Sequence, residues 1–194
     1  MIPADFEQGR LRYERMRPEH AGELEPVLLD PKVWVTLQGP DDRPPSADDV
    51  RQHVEAKCGL WERDGFGFWA LRDRRTGVIV GRGGLQRTTI EGAAEVEAGW
   101  AIASARWGEG LATELALTSV EVAFGTLALS RLVSFTLPHN LASRRVMEKS
   151  GFRFEREITH ANLPHVLYAR GPSPTCAPDR THVRLPRRSE ASPA

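Results

Sequence analysis

The residues with the clearest chemical potential are Trp107-Gly108-Glu109-Gly110-Leu111-Ala112-Thr113, a run between a strand pattern and a helix pattern. Backbone N–H groups in such a turn point toward a helix N-terminus, where unpaired amides and the helix dipole favour an anion, above all a phosphate. Gly108 and Gly110 lack Cβ atoms and Ala112 has only a methyl, so a diphosphate can approach the main chain closely without a lysine. The run fails as a nucleotide P-loop because Leu111-Ala112 stands where Lys-Ser/Thr is needed. Through Gly108, Gly110 and Thr113 it nearly meets the dinucleotide pattern GxGxxG, but that pattern belongs in an early βαβ unit with an acidic residue about 20 positions on. Here the run follows four mostly hairpin-linked strands, and the acidic position falls near Ala128. A tight connection with no ligand remains the alternative.

A carboxylate lies just upstream. In AEVEAGWAIA the side chains of Val96, Ala98, Trp100 and Ile102 project one way, and those of Glu97, Gly99, Ala101 and Ala103 the other. The second face is small apart from Glu97, so it either carries a close-packed helix or leaves room for a ligand.

The elements that position these residues alternate between 10 and 170. LRYERM reads as a first strand, followed by a helix from about His20 to Leu29 and a Pro-rich loop through Gly39 to Pro45. Ser46, with Asp49 three positions on, opens a helix whose Val50, Val54, Cys58 and Trp61 make one buried stripe. FGFWALRD and VIVGRGGL form an antiparallel hairpin around RRTG, and AEVEAGWAIA is the fourth strand. The next helix runs to about Leu127, with Leu111, Leu115 and Val122 on one side, Leu117, Val120 and Phe124 nearly opposite, and a Glu114/Glu121 stripe between, a largely buried pattern. RLVSFTL is a strand, NLASRRVMEKS a helix stopped by Gly151, and FRFEREITH and HVLYAR a closing pair joined by ANLP.

Taken together, EAGWAIASARWGEGLATEL and NLASRRVMEKSGF resemble the Gcn5-related N-acetyltransferases (GNAT), in particular the branch that acetylates ribosomal-protein N-termini, with its WGxGxA turn and NxxSxxVxEKxGF helix. The resemblance covers roughly residues 10 to 170. It implies a mixed α/β acyl-CoA N-acyltransferase fold: a twisted, mostly antiparallel sheet with one parallel splayed strand pair and helices on both faces. It also implies an acetyl-CoA site where the fourth and fifth strands splay. Trp107 lies in the matching turn, and Gly108, Gly110, Leu111, Ala112 and Thr113 would offer amides to the pyrophosphate. Ile102 and its neighbours would pair with pantetheine amides. Asn140 and Ser143 match polar positions beside the pantetheine arm, and they also read as a helix N-cap with an exposed first-turn serine. Arg106, Arg144 and Arg145 are either phosphate partners or solvated surface.

Acetyl transfer needs a neutral amine, so a group must accept a proton directly or through water. Glu97 matches the Glu of the family's ExGxxL strand and is the expected base; the other reading pairs it structurally with an arginine of a neighbouring strand. A free strand N–H near Ile102 would stabilise charge on the carbonyl oxygen. Many relatives carry Tyr seven residues after the Asn, where this chain has Met147, so Ser143 is the nearest hydroxyl in register for the leaving sulfur. His160 and His165 flank the last hairpin turn, either assisting proton transfer or without a task. The region of Trp34 and the Trp61–Trp69 segment either line the acceptor pocket or belong to the core.

Composition narrows the remaining classes. With 26 basic and 26 acidic residues there is no global field to draw nucleic acid or anionic lipid. No apolar run approaches the roughly 20 residues of a bilayer span, and the start MIPADFEQGRL has no export pattern, so a cytoplasmic protein is expected. Cys58 and Cys176 have no CxxC spacing, and the six histidines contain no HxxxH or HExxH pair, so neither a disulfide framework nor a metal site is expected. Residues 1–170 are expected to form the N-acetyltransferase domain, and 171–194, rich in Pro and Ser, a mildly basic disordered tail or a partner-binding arm. The expected acceptor is a primary amine, first a protein N-terminus and otherwise a small molecule, handled by a monomer or homodimer. A CoA-binding regulatory module without catalysis is the reading from another class.

Overall fold

The computed structural model describes residues 4–37 and 43–172. Most of the expected tail, residues 173–194 with Cys176, lies outside the described residues. The strands are β1 (Asp5–Gln8), β2 (Leu11–Arg15), β3 (Phe68–Asp73), β4 (Ile79–Ile90), β5 (Ala93–Ile102), β6 (Leu132–Thr136), β7 (Arg153–His160) and β8 (Leu163–Arg170). The helices are α1 (His20–Leu28), α2 (Pro31–Trp34), α3 (Ala47–Asp64), α4 (Leu111–Glu121) and α5 (Leu141–Lys149). The strands form one sheet in the order β1-β2-β3-β4-β5-β6-β8-β7, antiparallel throughout except for the parallel pair β5 and β6. No helix among the described residues is long and apolar enough to cross a membrane.

Local chemistry sets the boundaries. Ser46 Oγ accepts from the Asp49 N–H while the Asp49 carboxylate accepts from the Ser46 N–H, a reciprocal cap that starts α3. Positive φ at Glu91 and Gly92, and again at Ala161 and Asn162, gives the two-residue turns whose twist suits the β4–β5 and β7–β8 hairpins.

Each sheet face carries its own core. On one side Leu11, Trp69, Val80, Leu85, Val96, Ala98 and Ile102 pack with Leu111 and Leu115 of α4 and Met147 of α5. On the other, Met16, Phe68, Ala70, Ile79 and Ala101 pack with Leu24 of α1 and Val50 and Val54 of α3. The expected α3 stripe therefore divides: Val50, Val54 and half-buried Cys58 face the second core, while Trp61 turns into the first and donates from Nε1 to the Phe68 carbonyl at 2.9 Å.

Three details differ from the sequence reading. β1 precedes the expected first strand, so the splayed pair is the fifth and sixth strand of the sheet. The single turn α2 lies between the expected first helix and the Pro-rich loop, nucleated by the Asp30 side chain accepting from Lys32 N–H with Pro31 at the first helical position. Leu117 is 47% exposed, because at 3.6 residues per turn it shares the outer arc of α4 with Glu114 and Glu121.

Candidate active site

The sheet opens where its one parallel ladder ends. Glu97 and Val133 are the single register pair between β5 and β6, and Ser134 Oγ donates to the Ala98 carbonyl at 2.8 Å just beyond it. The continuous β4–β5 register fixes what faces the gap. Gly83 with Trp100, and Gly81 with Ile102, are non-hydrogen-bonded pairs, as the Ala103 N–H to Val80 carbonyl bond of 2.9 Å requires. The main-chain polar groups of Trp100 and Ile102 consequently point away from β4 and into the splay. The Ile102 carbonyl accepts from Trp107 Nε1 at 2.8 Å, which pins the following turn to the strand.

That turn is built as an open helix N-terminus. Gly108 and Gly110 both have φ of +84°, and α4 begins without a side-chain cap. Nothing lies within 4 Å of a Cβ added at Gly108, and only the Arg10 guanidinium, at 3.7 Å, approaches one added at Gly110. The amides of Leu111, Ala112 and Thr113 occupy the first turn, where a helix has no internal acceptors. Arg106 bridges both Glu109 oxygens and the Asp73 carboxylate, so it buttresses the turn. Arg10, to which no sequence motif points, donates to the Glu109 carbonyl at 2.9 Å and engages Glu114. Arg144 donates to Tyr168 Oη and the Pro138 carbonyl, and Arg145 is exposed on α5.

Across the splay, Asn140 is buried and caps α5, its side-chain oxygen accepting from the Ser143 N–H at 3.1 Å. Its amide nitrogen donates to Thr136 Oγ1 at 3.0 Å and Ser143 Oγ at 3.2 Å. Because Ser143 Oγ accepts there, its own proton is available to another partner. Met147, 1% exposed, stands one turn further along the same face.

These residues share a cavity of about 190 Å³ with Glu97, Gly99, Trp100, Phe135 and Leu137. The same cavity brings in Phe68, from the Trp61–Trp69 segment expected to line the acceptor pocket or belong to the core, and three side chains that no motif connects to it, Lys57, Arg82 and Gln86. Strand alternation is the signal that finds two of them: Arg82 and Gln86 lie on the same sheet face as Glu97, opposite Ala101 and Glu97 respectively. Gln86 Nε2 donates to Glu97 Oε2 at 2.6 Å, and its oxygen accepts from Lys57 Nζ at 2.5 Å. Burial raises the Glu97 carboxyl above its ordinary pKa, against the opposing pull of Gln86, Lys57, His160 and Arg82. Burial also lowers Lys57 to about 8, helped by Arg82.

His165 is buried, lines the cavity edge-on to Phe135 and is driven toward its neutral form by burial. His160 packs against the same ring with a centroid separation of 4.7 Å. Trp61 and Trp69 belong to the first core, and Phe68 between them reaches the cavity. Among the described residues no group of three His, Cys, Asp or Glu side chains is arranged to hold a metal ion.

A sheet opened at one parallel pair, with a glycine turn feeding a helix at its mouth, defines an acyl-transfer fold. The chain belongs to the acetyltransferase (GNAT) family, whose domain matches residues 10–153. It is similar to YkkB, a protein of Bacillus subtilis strain 168, at 28% identity over 83% of this chain and 92% of that one. A GNAT-family acetyltransferase of Bordetella pertussis superposes with a TM-score of 0.73 at 24% identity, covering 86% of this chain and 99% of that one. RimL, a ribosomal L7/L12 alpha-N-protein acetyltransferase in complex with coenzyme A, superposes with a TM-score of 0.67 at 21% identity, covering 88% and 97%.

Proposed function

We propose that the protein moves an acetyl group from acetyl-CoA to a primary amine, and that the amine is a protein N-terminus. The observation that carries the reading is the juxtaposition of a buried carboxylate, Glu97, with the mouth of a splay whose strand amides are unpaired on one side. Acetyl-CoA supplies the acetyl group activated as a thioester. The uncapped amides of Leu111, Ala112 and Thr113 would hold its pyrophosphate, with Gly108 and Gly110 giving clearance and Arg10 adding positive charge. Trp107 keeps the turn against the strand.

Main-chain groups of Trp100 and Ile102 would take up the pantetheine amides and polarise the carbonyl, while Asn140 sets Thr136 and Ser143 on the opposite wall. Glu97 takes the proton from the ammonium, directly or through water. Gln86 holds the carboxylate in place, and burial makes it a better base than a solvated glutamate. Ser143 Oγ, with its proton uncommitted, can donate toward the leaving sulfur. A thiol with a pKa near 8.5 needs little such help.

The likeness to RimL, which acts on a protein N-terminus, supports the acceptor, as does the match between a carboxylate base and an α-amine with a pKa of about 8. The deciding measurement is thiol release from acetyl-CoA across panels of peptides and small amines, with coenzyme A binding followed in parallel by calorimetry. Turnover of peptides is the expected result. Turnover confined to small amines would reassign the acceptor, and binding without turnover would reduce the protein to a CoA-binding module.

A further inference from the structure

The cavity holds more positive charge than proton removal requires. Arg82 is 8% exposed, and its Nε is fully buried without a hydrogen-bond partner. No carboxylate among the described residues forms an ion pair with it; its guanidinium lies over the Phe68 ring at 5.2 Å. Lys57 Nζ lies 4.7 Å from the centroid of the same ring. The tip of that ring would stand 3.2 Å from a Cβ at Gly99, and Glu97 Oε1 would stand 3.3 Å from the same point. Two cations and one carboxylate therefore gather around the Phe68 ring, which fits over Gly99 because that residue has no side chain.

Leaving the Arg82 Nε–H buried and unbonded is costly, and a group of this kind at the wall of a cavity can be completed by a ligand that enters it. Among the described residues Glu97 is the one carboxylate whose charge acts appreciably on Arg82 and Lys57, and its own ionisation is disfavoured by burial. A site of this kind lacks an anion with planar, two-oxygen geometry, which a guanidinium fork binds in preference to other groups.

We infer that the acceptor amine carries a carboxylate close to it, received by Arg82 with Lys57 alongside, so that acidic acceptors are selected over neutral ones. The inference rests on the acetyl-transfer reading above. For a protein N-terminus it means an aspartate or glutamate within the first residues.

The test uses C-terminally amidated tripeptides, so that the side chain is the only carboxylate: Ala-Asp-Gly against Ala-Asn-Gly, and Ala-Glu-Gly against Ala-Gln-Gly. Thiol release from acetyl-CoA should show kcat/KM at least tenfold higher for one acidic peptide than for its amide twin. In Arg82→Met, which keeps an apolar stem on Phe68, that ratio should fall to near one. Lys57→Met provides a second variant with a smaller drop if Arg82→Met fails to fold. Calorimetry of the same peptides with wild-type protein and coenzyme A, which has no acetyl group to transfer, reads the preference without turnover. Acid-to-amide ratios within twofold in both assays overturn the inference, and if neutral peptides are still acetylated the transfer reading stands. Tenfold tighter binding of the acidic peptide with no thiol release from any amine would keep the anion pocket and sink the transfer reading.

Discussion

Replacing Glu97 by Gln separates chemistry from architecture because the site can absorb the change. The glutamine keeps the volume, and its oxygen can still accept from Gln86 Nε2, now 2.6 Å from Glu97 Oε2. Ionised Glu97 is the form that burial penalises, since its pKa is raised in the folded protein. Such a group adds stability below its unfolded pKa, and that contribution is lost as pH rises through the folded value; the neutral amide has no such dependence. At pH 7 the variant should therefore melt within a few degrees of wild type, and its stability should vary less between pH 5 and 8. Activity should behave differently. A positioned general base contributes roughly 10²- to 10⁴-fold, so kcat should fall by that factor, about 2.7–5.5 kcal/mol, while KM for acetyl-CoA barely moves. An α-amine of pKa about 8 is about one-tenth neutral at pH 7 and about nine-tenths neutral at pH 9, so raising the pH should restore at most about tenfold. Initial-rate kinetics by thiol release, with thermal melts at each pH, give both readouts. A stable Glu97→Gln protein with wild-type kcat from pH 6 to 9 would remove the carboxylate from the mechanism. A large loss of melting temperature with an unaltered pH profile would make it a structural group.

Three further perturbations address the rest of the site. Gly110→Asp places a side chain and a negative charge at a position with φ of +84° beside the α4 amides, so coenzyme A affinity should fall at least a hundredfold by calorimetry; an unchanged affinity in a folded variant would move the phosphate site elsewhere. Ser143→Ala should lower kcat by less than about tenfold, because the leaving thiol has a pKa near 8.5, and a loss of a thousandfold in single-turnover kinetics would show that proton donation to sulfur limits the reaction. Ser46→Ala removes the cap of α3 and should cost about 1 kcal/mol in urea unfolding with coenzyme A affinity unaltered.

What the sequence revealed depended on whether the signal was local. The glycine turn, the Ser46–Asp49 cap, the Asn140 cap and the two faces of β5 are written within a few residues of one another, and each stands where its spacing places it. β1 escaped because its residues, DFEQ, are mostly exposed and have no apolar alternation; what holds it is Phe6, stacked on Tyr13 at 4.5 Å. Arg10 and Lys57 escaped for another reason. Each lies far along the chain from the residues it meets, so no spacing in the sequence announces the contact. Arg106 shows the converse: its place beside the turn reads as a phosphate partner or as solvated surface, yet Asp73, 33 residues away, takes one side of its guanidinium.

The topology explains why the parts of the site meet at one place. Parallel strands cannot be joined by a tight turn, so the step from β5 to β6 requires a crossover, and α4 is that crossover. Its N-terminus must then lie at the C-terminal end of β5, where the strand has just left its parallel partner and its main-chain groups face outward. A single connection thus sets an anion-binding helix end beside unpaired strand amides. Glu97 occupies the last register pair before the divergence, on the face away from α4. The carboxylate and the helix end accordingly reach the gap from opposite sides of the sheet. A thiol ester entering along the α4 side and an amine entering over Lys57 and Arg82 would meet at the apex of the splay without competing for the same space.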